Sequence, residues 1–362
     1  MTAEVEHNKI MFFIGNMSHS GGTERVLSVI ANGLSDRGFM VSVISLWGDG
    51  QTVFSLHDRI PVYWVEKERK QSGILGNLRY LAALFDREKP DFLVDVDIIL
   101  ACYSIFMKWQ MPDLHWISWE HFHYYFHFER NNFLRKIVRR VVARYSNQLV
   151  VLTDADKGHY EKKLRLRCDI TRIYDPLPFT GTFSKQVEQP VIFAAGRLTE
   201  SKGFDLLIDS WRRLESRYPQ WSVIIAGEGM DREKLEKKVK AARLERIQFI
   251  GNVRDIEKYY EKAAFLAFPS RNEGFGMVLL EAMYFCLPVV SYDCKAGPKE
   301  IVIDGVNGYL VEARNIEIFT EKMELFMKDE ALRKRMGAQA AKTVMRFHKE
   351  LILDQWETLL GV

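Results

Sequence analysis

The chain has few residues that would tie it together covalently and no excess of charge that would send it to a polyanion. Its four cysteines, Cys102, Cys168, Cys286 and Cys294, are spread over 362 residues, and none forms a Cys-x-x-Cys. That usage predicts reduced thiols and argues against a disulfide framework or a zinc site. Charge of one sign is also lacking, since 51 basic residues face 48 acidic ones and leave a net +3. A dedicated nucleic-acid binder carries a clearer basic excess, so no nucleic-acid partner is expected. Long apolar runs are missing too. The opening residues, MTAEVEHNKI, do not have the basic-then-apolar layout of a signal peptide, and the next apolar run is too short and interrupted to span a bilayer. The expectation is a cytoplasmic protein.

What is present is alternation of strand and helix patterns over a length that favours two domains. Lys9 to Gly15, KIMFFIG, reads as a buried strand, followed by a polar loop from Ser18 to Gly22 and a helix from Thr23 with Val26, Leu27, Val29, Ile30 and Leu34 on its buried face. Strand, glycine loop and helix present free N–H groups to an anion, although a Gly21–Gly22 pair also serves a plain tight turn. Further strands are predicted at Met40 to Leu46, around Val62 to Val65 and in PDFLVDVDII, with a helix from about Leu75 to Glu88. In that last strand Asp95 and Asp97 form a DxD. A metal-binding reading competes with a turn or helix-contact role, and nothing else in the sequence offers a metal further partners.

His115 to Trp119 reads as the next strand, with Glu120 and His121 emerging at its end. His121, His123 and His127 have no additional ligand at a suggestive spacing, so a metal site there is disfavoured. The following helix, roughly Phe133 to Tyr145, carries Leu134, Ile137, Val138, Val141 and Val142 on one side and Arg135, Lys136, Arg139, Arg140 and Arg144 around the rest. From Arg130 to Arg172 there are twelve basic and four acidic residues, a far larger bias than the whole chain shows. Two readings stand: a basic surface through Arg130 to Arg144 that rests on an anionic membrane, or a solvated helix whose apolar stripe faces the core.

TRIYDPLPFTGTFSKQVEQP, polar and with three prolines, reads as a linker. Beyond it Val191 to Ala195 form a strand, Gly196 allows close backbone approach, and Arg197 and Lys202 bring two cations to a helix predicted over Phe204 to Trp211. Two cations beside a helix N-terminus can neutralise a diphosphate without a metal ion. WSVIIAGEGMDREKLEKKV and IQFIGNVRDIEKYYEKA repeat the unit. The strand ending at Pro269 then opens into a loop with Glu273, Gly274 and Gly276, followed by a helix from Met277 to Phe285 with Val278, Leu279, Ala282 and Phe285 as its apolar face. Glu273 and Glu281 are eight residues apart, a spacing that lets one carboxylate address each end of an extended ligand; capping and solvation are the competing roles. Asp304-Gly305 and Asn307-Gly308 mark turns of a hairpin or loop. The last segment, about His348 to Leu360, offers Leu351, Trp356, Leu359 and Leu360 for burial.

The stretch EGFGMVLLE resembles the paired-glutamate motif of the family 4 retaining glycosyltransferases, and GGTERV, the Glu120-His121 pair and GRLTESKGFDLLIDS resemble the same family's corresponding segments. The resemblance spans nearly the whole chain and is weakest between about Gln51 and Asp113. It implies an α/β protein of the GT-B fold: an acceptor-binding Rossmann-like domain over 1–180, a nucleotide-sugar-binding one over 187–345 facing it across a cleft, and a C-terminal helix over 346–362 crossing back. By the same resemblance Glu273 holds sugar hydroxyls and His121 touches the far side of the sugar. Arg197 and Lys202, with Gly196 beside them, take the pyrophosphate. Glu281 takes the ribose, Val253 meets the uracil through its backbone, and Gly274, Phe275 and Gly276 complete the donor loop. Gly21, Gly22 and Glu24 face the acceptor and the diphosphate.

The implied reaction is retaining transfer of a hexose or N-acetylhexosamine from a UDP-sugar to a hydroxyl of a lipid-linked glycan or lipopolysaccharide acceptor. Neither metal nor other cofactor is expected. SYDCKAGPKE resembles members that use galactose- or glucose-type donors. A peripheral position on the cytoplasmic face of the inner membrane follows as an expectation. The competing readings are a UDP-sugar epimerase or hydrolase of the same architecture, a non-catalytic sugar-nucleotide binder, and a metal-dependent transferase relying on Asp95 and Asp97.

Overall fold

The apolar runs are short strands buried on both faces, which is why they read as continuous rather than alternating. A computed structural model describes residues 8–69, 73–125, 132–181, 183, 185 and 188–361. The chain divides into two units, Met1–Pro178 with Lys349–Val362, and Phe179–His348.

The first unit contains β1 (Lys9–Asn16), β2 (Met40–Trp47), β3 (Val62–Trp64), β4 (Phe92–Val96), β5 (His115–Glu120), β6 (Gln148–Val151) and β7 (Asp169–Arg172). They form one sheet in the order β3-β2-β1-β4-β5-β6-β7, and every pairing is parallel. Met11, Phe13, Ile44, Leu93, Trp116 and Leu149 supply the core on one face, beneath helices that include Gly73–Glu88 and Asn132–Tyr145. On the other face Phe12 and Trp119 meet Trp356 of the last helix, Lys349–Leu360, with ring centroids 6.4 and 4.8 Å apart. Leu353 of that helix lies against Gly33, where any side chain would collide with it. Arg37 closes the contact by pairing with Glu350, Asp354 and Glu357 at 2.6–2.8 Å. The buried face of this last helix is Ile352, Leu353, Trp356 and Leu360; Leu351, expected inside, is exposed.

The second unit contains β8 (Val191–Ala195), β9 (Ser222–Ala226), β10 (Ile247–Gly251), β11 (Phe265–Phe268), β12 (Val289–Asp293) and β13 (Gly308–Glu312), in the order β10-β9-β8-β11-β12-β13. All are parallel, so the turn residues before β13 do not make a hairpin. They form a loop in which the Asn307 carboxamide oxygen accepts from the Ile303 N–H at 2.8 Å and the Asp304 carboxylate accepts from the Leu310 N–H at 2.9 Å. The core between this sheet and its helices is apolar, built around Ile192, Trp211, Val223, Phe265, Phe319 and Phe326.

Two sequence expectations need correction. The helix Asn132–Tyr145 is rotated: Arg135 and Arg139 are buried with Val138 and Val142, while Phe133, Leu134 and Ile137 are exposed. The reason is the ion-pair network described below, which draws two arginines inward. Arg130, the start of the expected basic surface, and His127 lie outside the described residues, as does position 187, the expected start of the second domain. The helix Met277–Tyr284 has no one-sided apolar face, because Leu279, Leu280, Glu281, Ala282 and Met283 are all buried. Among the described residues, no helix is long and apolar enough to cross a membrane.

Candidate active site

In the second unit the strand order reverses at β8, whose neighbours β9 and β11 continue in opposite directions. Loops leaving β8 and β11 therefore diverge and open a crevice at the carboxyl ends of the strands, where open α/β sheets bind ligands. The loop after β8 ends at Gly203, with φ +67°, and a Cβ there would collide with the carbonyl of Pro269 in the loop after β11. Glycine is needed on both counts. The Ser201 carbonyl accepts from the N–H groups of Arg271 and Asn272 at 2.8 and 3.3 Å. Arg271 makes a two-pronged pair with Asp205, both contacts 2.7 Å, and also donates to the Glu200 carbonyl at 2.8 Å.

Those bonds hold the two loops in register and bring Lys202 and Glu273 together. Lys202 Nζ lies 2.7 and 2.8 Å from the two oxygens of Glu273, whose residue is only 6 % exposed. A carboxylate and an ammonium so placed offer acceptors for hydroxyls and a cation for phosphate oxygens. Gly276, with φ +109°, lets the loop turn into the helix Met277–Tyr284. Phe275 anchors that turn in the interior against Phe347, with centroids 5.6 Å apart, and Gly274 is half-buried. Glu281 is buried on the helix and its Oε2 accepts from the Tyr260 hydroxyl at 2.8 Å. Tyr260 is itself fully buried and stacks on Phe285.

Not every expected donor residue joins this pair. Gly196 is half-buried at the exit of β8, and Arg197 next to it is exposed, without an ion pair among the described residues. Val253 is half-buried in the loop after β10.

In the first unit, Gly21 caps the helix Gly22–Asp36, and Glu24 in the first turn folds its carboxylate back over Gly21, where a side chain would collide with it. At the end of β5, Glu120 is buried at the centre of a network. It accepts from the Phe122 N–H at 3.1 Å and the Tyr160 hydroxyl at 3.0 Å, and lies 3.4 and 3.9 Å from Arg135 and Arg139. Burial raises its pKa and the two arginines oppose that rise. The arginines satisfy a buried carboxylate, so Glu120 braces the loop that carries His121.

His121 is 7 % exposed, with its ring 4.4 Å from that of Trp119 and Nδ1 3.8 Å from Asp175 Oδ1. Burial pushes its pKa down to about 3, so the ring is neutral, and that of Asp175 up to about 8.

The DxD is engaged from within. Asp95 is fully buried, accepts from Ser104 Oγ and from Trp116 Nε1 at 2.7 Å, and is pushed up to about 8 by burial. Asp97 caps the turn Ile98–Leu100 and pairs with Arg135 at 2.6 Å. Among the described residues, no group of three His, Cys, Asp or Glu is placed to hold a metal ion.

Sequence reasoning missed Arg271, Tyr260 and Asp175. Arg271 stands two residues before Glu273, a local signal that was available. Tyr260 and Asp175 meet their partners only through the strand order. A pocket of about 640 Å³ opens at the amino ends of β1 to β3, lined by Lys9, Met40, Arg59, Tyr63 and Glu88, at the edge opposite to the one where open α/β sheets bind ligands.

Residues 180–343 match the model of the family described as Glycosyl transferases group 1, and residues 20–177 that of Glycosyltransferase Family 4. An uncharacterized glycosyltransferase of Haemophilus influenzae is 31 % identical over 358 residues, 97 % of this chain and 99 % of that one. The GalNAc-alpha-(1->4)-GalNAc-alpha-(1->3)-diNAcBac-PP-undecaprenol alpha-1,4-N-acetyl-D-galactosaminyltransferase of Campylobacter jejuni is 28 % identical, with 98 % of each chain covered. Among solved structures, a mutant of S. aureus TarM in complex with fondaparinux, alpha-GlcNAc-glycerol and UDP superposes with a TM-score of 0.86 at 15 % identity, covering 98 % of this chain and all of that one.

Proposed function

This chain belongs to glycosyltransferase family 4 and has the two parallel-sheet domains of the GT-B fold, and from that premise we propose that it is a retaining transferase that moves a hexose or N-acetylhexosamine from a UDP-sugar to a hydroxyl of a lipid-linked glycan or lipopolysaccharide acceptor. The observation that carries the proposal is the Lys202–Glu273 pair at the switch point of the second sheet, with Glu281 on the helix that follows. The Campylobacter relative's name gives an undecaprenol-linked glycan acceptor and an alpha-linked sugar, and the TarM structure holds UDP. Both support this reading.

In the proposed reaction, bond breaking at the anomeric carbon leaves the shared electron pair on the diphosphate oxygen. Lys202 and Arg197, with backbone N–H groups at the exit of β8, stabilise that charge. Glu273 accepts hydrogen bonds from the sugar hydroxyls, and the loss of its ion pair to Lys202 is offset as the ammonium turns to the phosphate. Glu281, braced by Tyr260, takes the ribose. His121 meets the sugar, and Gly21, Gly22 and Glu24 serve the acceptor and the diphosphate. An oxygen of the leaving phosphate takes the acceptor's proton on the same face, so the anomeric configuration is kept and no strong protein base is required. No metal is needed in this scheme; it is supported by the engagement of Asp95 and Asp97 with Ser104, Trp116 and Arg135.

A membrane-bound acceptor fits the outer face of the helix Asn132–Tyr145. Its exposed Phe133 and Ile137 accompany Arg140 and Arg144, which with Lys163, Arg165 and Arg167 line a shallow pocket of about 290 Å³. Apolar side chains beside clustered cations suit the surface of an anionic bilayer, and we place the protein at the cytoplasmic face of the inner membrane on that basis.

The test is a panel of UDP-sugars in EDTA, with and without polyprenyl-diphosphate-linked glycans. UDP release that requires acceptor, and a product of unchanged anomeric configuration, are expected. Conversion of donor without acceptor would instead identify an epimerase or hydrolase, and loss of turnover in EDTA would contradict the metal-free scheme.

A further inference from the structure

The interior of the first unit holds two polar groups that face each other and have no other hydrogen-bond partner among the described residues. His121, just past β5, and Asp175, three residues past β7, have side chains 4 % and 5 % exposed. Their nearest atoms, Nδ1 and Oδ1, are 3.8 Å apart. Neither Asp175 Oδ1 nor His121 Nε2 has a hydrogen-bond partner among the described residues. Buried polar atoms are nearly always satisfied, and each exception calls for a ligand or a small closure. A gap of 3.8 Å exceeds a hydrogen bond by under 1 Å, and such bonds often tighten only when substrate is bound. Nδ1 thus has a partner waiting, while Nε2 has none among the described residues.

We propose that Asp175 is a positioning residue for His121: its carboxyl donates a hydrogen bond to Nδ1, which keeps the ring proton on Nε2 and makes that nitrogen a donor to an oxygen of the bound sugar. This rests on the reading that His121 meets the sugar. The two ring nitrogens of a neutral histidine have opposite roles, and the bond at one decides the role of the other. Burial is the cause that sets both groups, raising Asp175 to about 8 and lowering His121 to about 3, and no charged neighbour contributes to either. The pair therefore carries its carboxyl proton at neutral pH. Once Asp175 ionises, it accepts from Nδ1–H instead, and Nε2 becomes an acceptor. The Trp119 ring and Asp175 face the imidazole, and His121 faces the carboxyl.

The experiment is nitrogen NMR of the intact protein labelled at histidine, with His121→Ala used to assign the signal among the nine histidines. The wild type is expected to show the Nε2–H tautomer at pH 7 and to cross to Nδ1–H as pH rises past about 8. Asp175→Asn, whose amide can still donate, should hold Nε2–H throughout, and Asp175→Leu should lose the preference. Turnover should follow, with kcat close to wild type in D175N, without the alkaline fall, and lower by about tenfold in D175L. An Nδ1–H ring at pH 7, or a tautomer indifferent to residue 175, would overturn the proposal. If His121→Ala turns over at the wild-type rate, the role of His121 at the sugar fails, while the tautomer measurement still decides the positioning claim.

Discussion

The two units handle charge differently. In the second, acidic groups at strand exits and near the surface pair with cations, as in Lys202–Glu273, Arg271–Asp205 and Lys238–Asp209, around an apolar core, while Glu281 and Glu215 are buried on the neutral donors Tyr260 and Trp211. In the first, carboxyls go inside: Asp95 between Ser104 and Trp116, Glu120 among Arg135, Arg139 and Tyr160, Asp156 on the Tyr124 N–H, and Asp175 beside His121. Burial of a charge and its partner seldom adds net stability, because desolvation cancels most of the attraction. What the buried network does supply is position: it fixes where β5 hands over to the loop that carries His121. A rigid apolar platform with charges at its rim suits a ligand that is itself charged. A polar interior suits the placing of neutral groups.

The contrast is broken most directly at Glu120. Truncation of one partner in a buried pair leaves an uncompensated charge, so Glu120→Ala is expected to cost the first unit about 3–5 kcal/mol. Hydrogen exchange read peptide by peptide should show the loss in β4 to β6 and leave β8 to β13 protected. Equal loss in both units would mean that the network is not confined to the first.

The pH dependence sharpens it next. Asp95, Asp156 and Asp175 have folded pKa values raised by burial to about 8, 7 and 8 from 3.8, so the folded unit keeps protons that the unfolded chain releases. Their contribution is full below pH 4 and is lost as pH rises toward 8. His121, lowered to about 3, has the opposite sign, but only below its ordinary value of 6.5. Between pH 6.5 and 8 the three carboxyls together should cost the first unit on the order of 4 kcal/mol. In the second unit the shifted acids Asp205, Asp255, Glu317, Glu324 and Glu330 are lowered rather than raised, and burial lowers Lys185 from 10.5 to about 8, so its stability should hold or rise slightly over that window. Exchange rates at the two pH values, corrected for intrinsic chemistry, provide the check.

The smallest expected effect lies at Tyr260. Tyr260→Phe removes one hydrogen bond from Glu281 and should weaken UDP binding about fivefold with the fold intact. No change would mean that Glu281 needs no brace.

The same contrast explains what could be read from sequence. Glu273, Glu281, Arg197 and Lys202 lie in contiguous stretches whose strand, loop and helix order was visible, so the place of three of them at strand exits, and of Glu281 on the helix that follows, came from periodicity. The rotation of the helix Asn132–Tyr145 was not legible, because Leu134 and Ile137 satisfy the apolar pattern as well as Val138 and Val142 do. Asp97 and the buried Glu120, at the ends of two strands upstream of the helix, together with Tyr160 beside Arg139, turn the two arginines inward. Asp175 meets His121 because β5, β6 and β7 are neighbours in the sheet, which is a fact of topology and not of spacing. Trp356 and Leu360 are inside as expected, but at the start of the last helix Ile352 and Leu353, the latter against Gly33, take the inward place expected of Leu351.

The central claim is that the second unit divides the donor between its two glutamates, and calorimetric titration of UDP into the wild type, Glu281→Ala and Glu273→Ala in EDTA tests it most directly. The account predicts UDP affinity about tenfold weaker in E281A, and unchanged within about threefold in E273A, whose turnover instead falls about a hundredfold. Loss of UDP binding in E273A with E281A unaffected would contradict it.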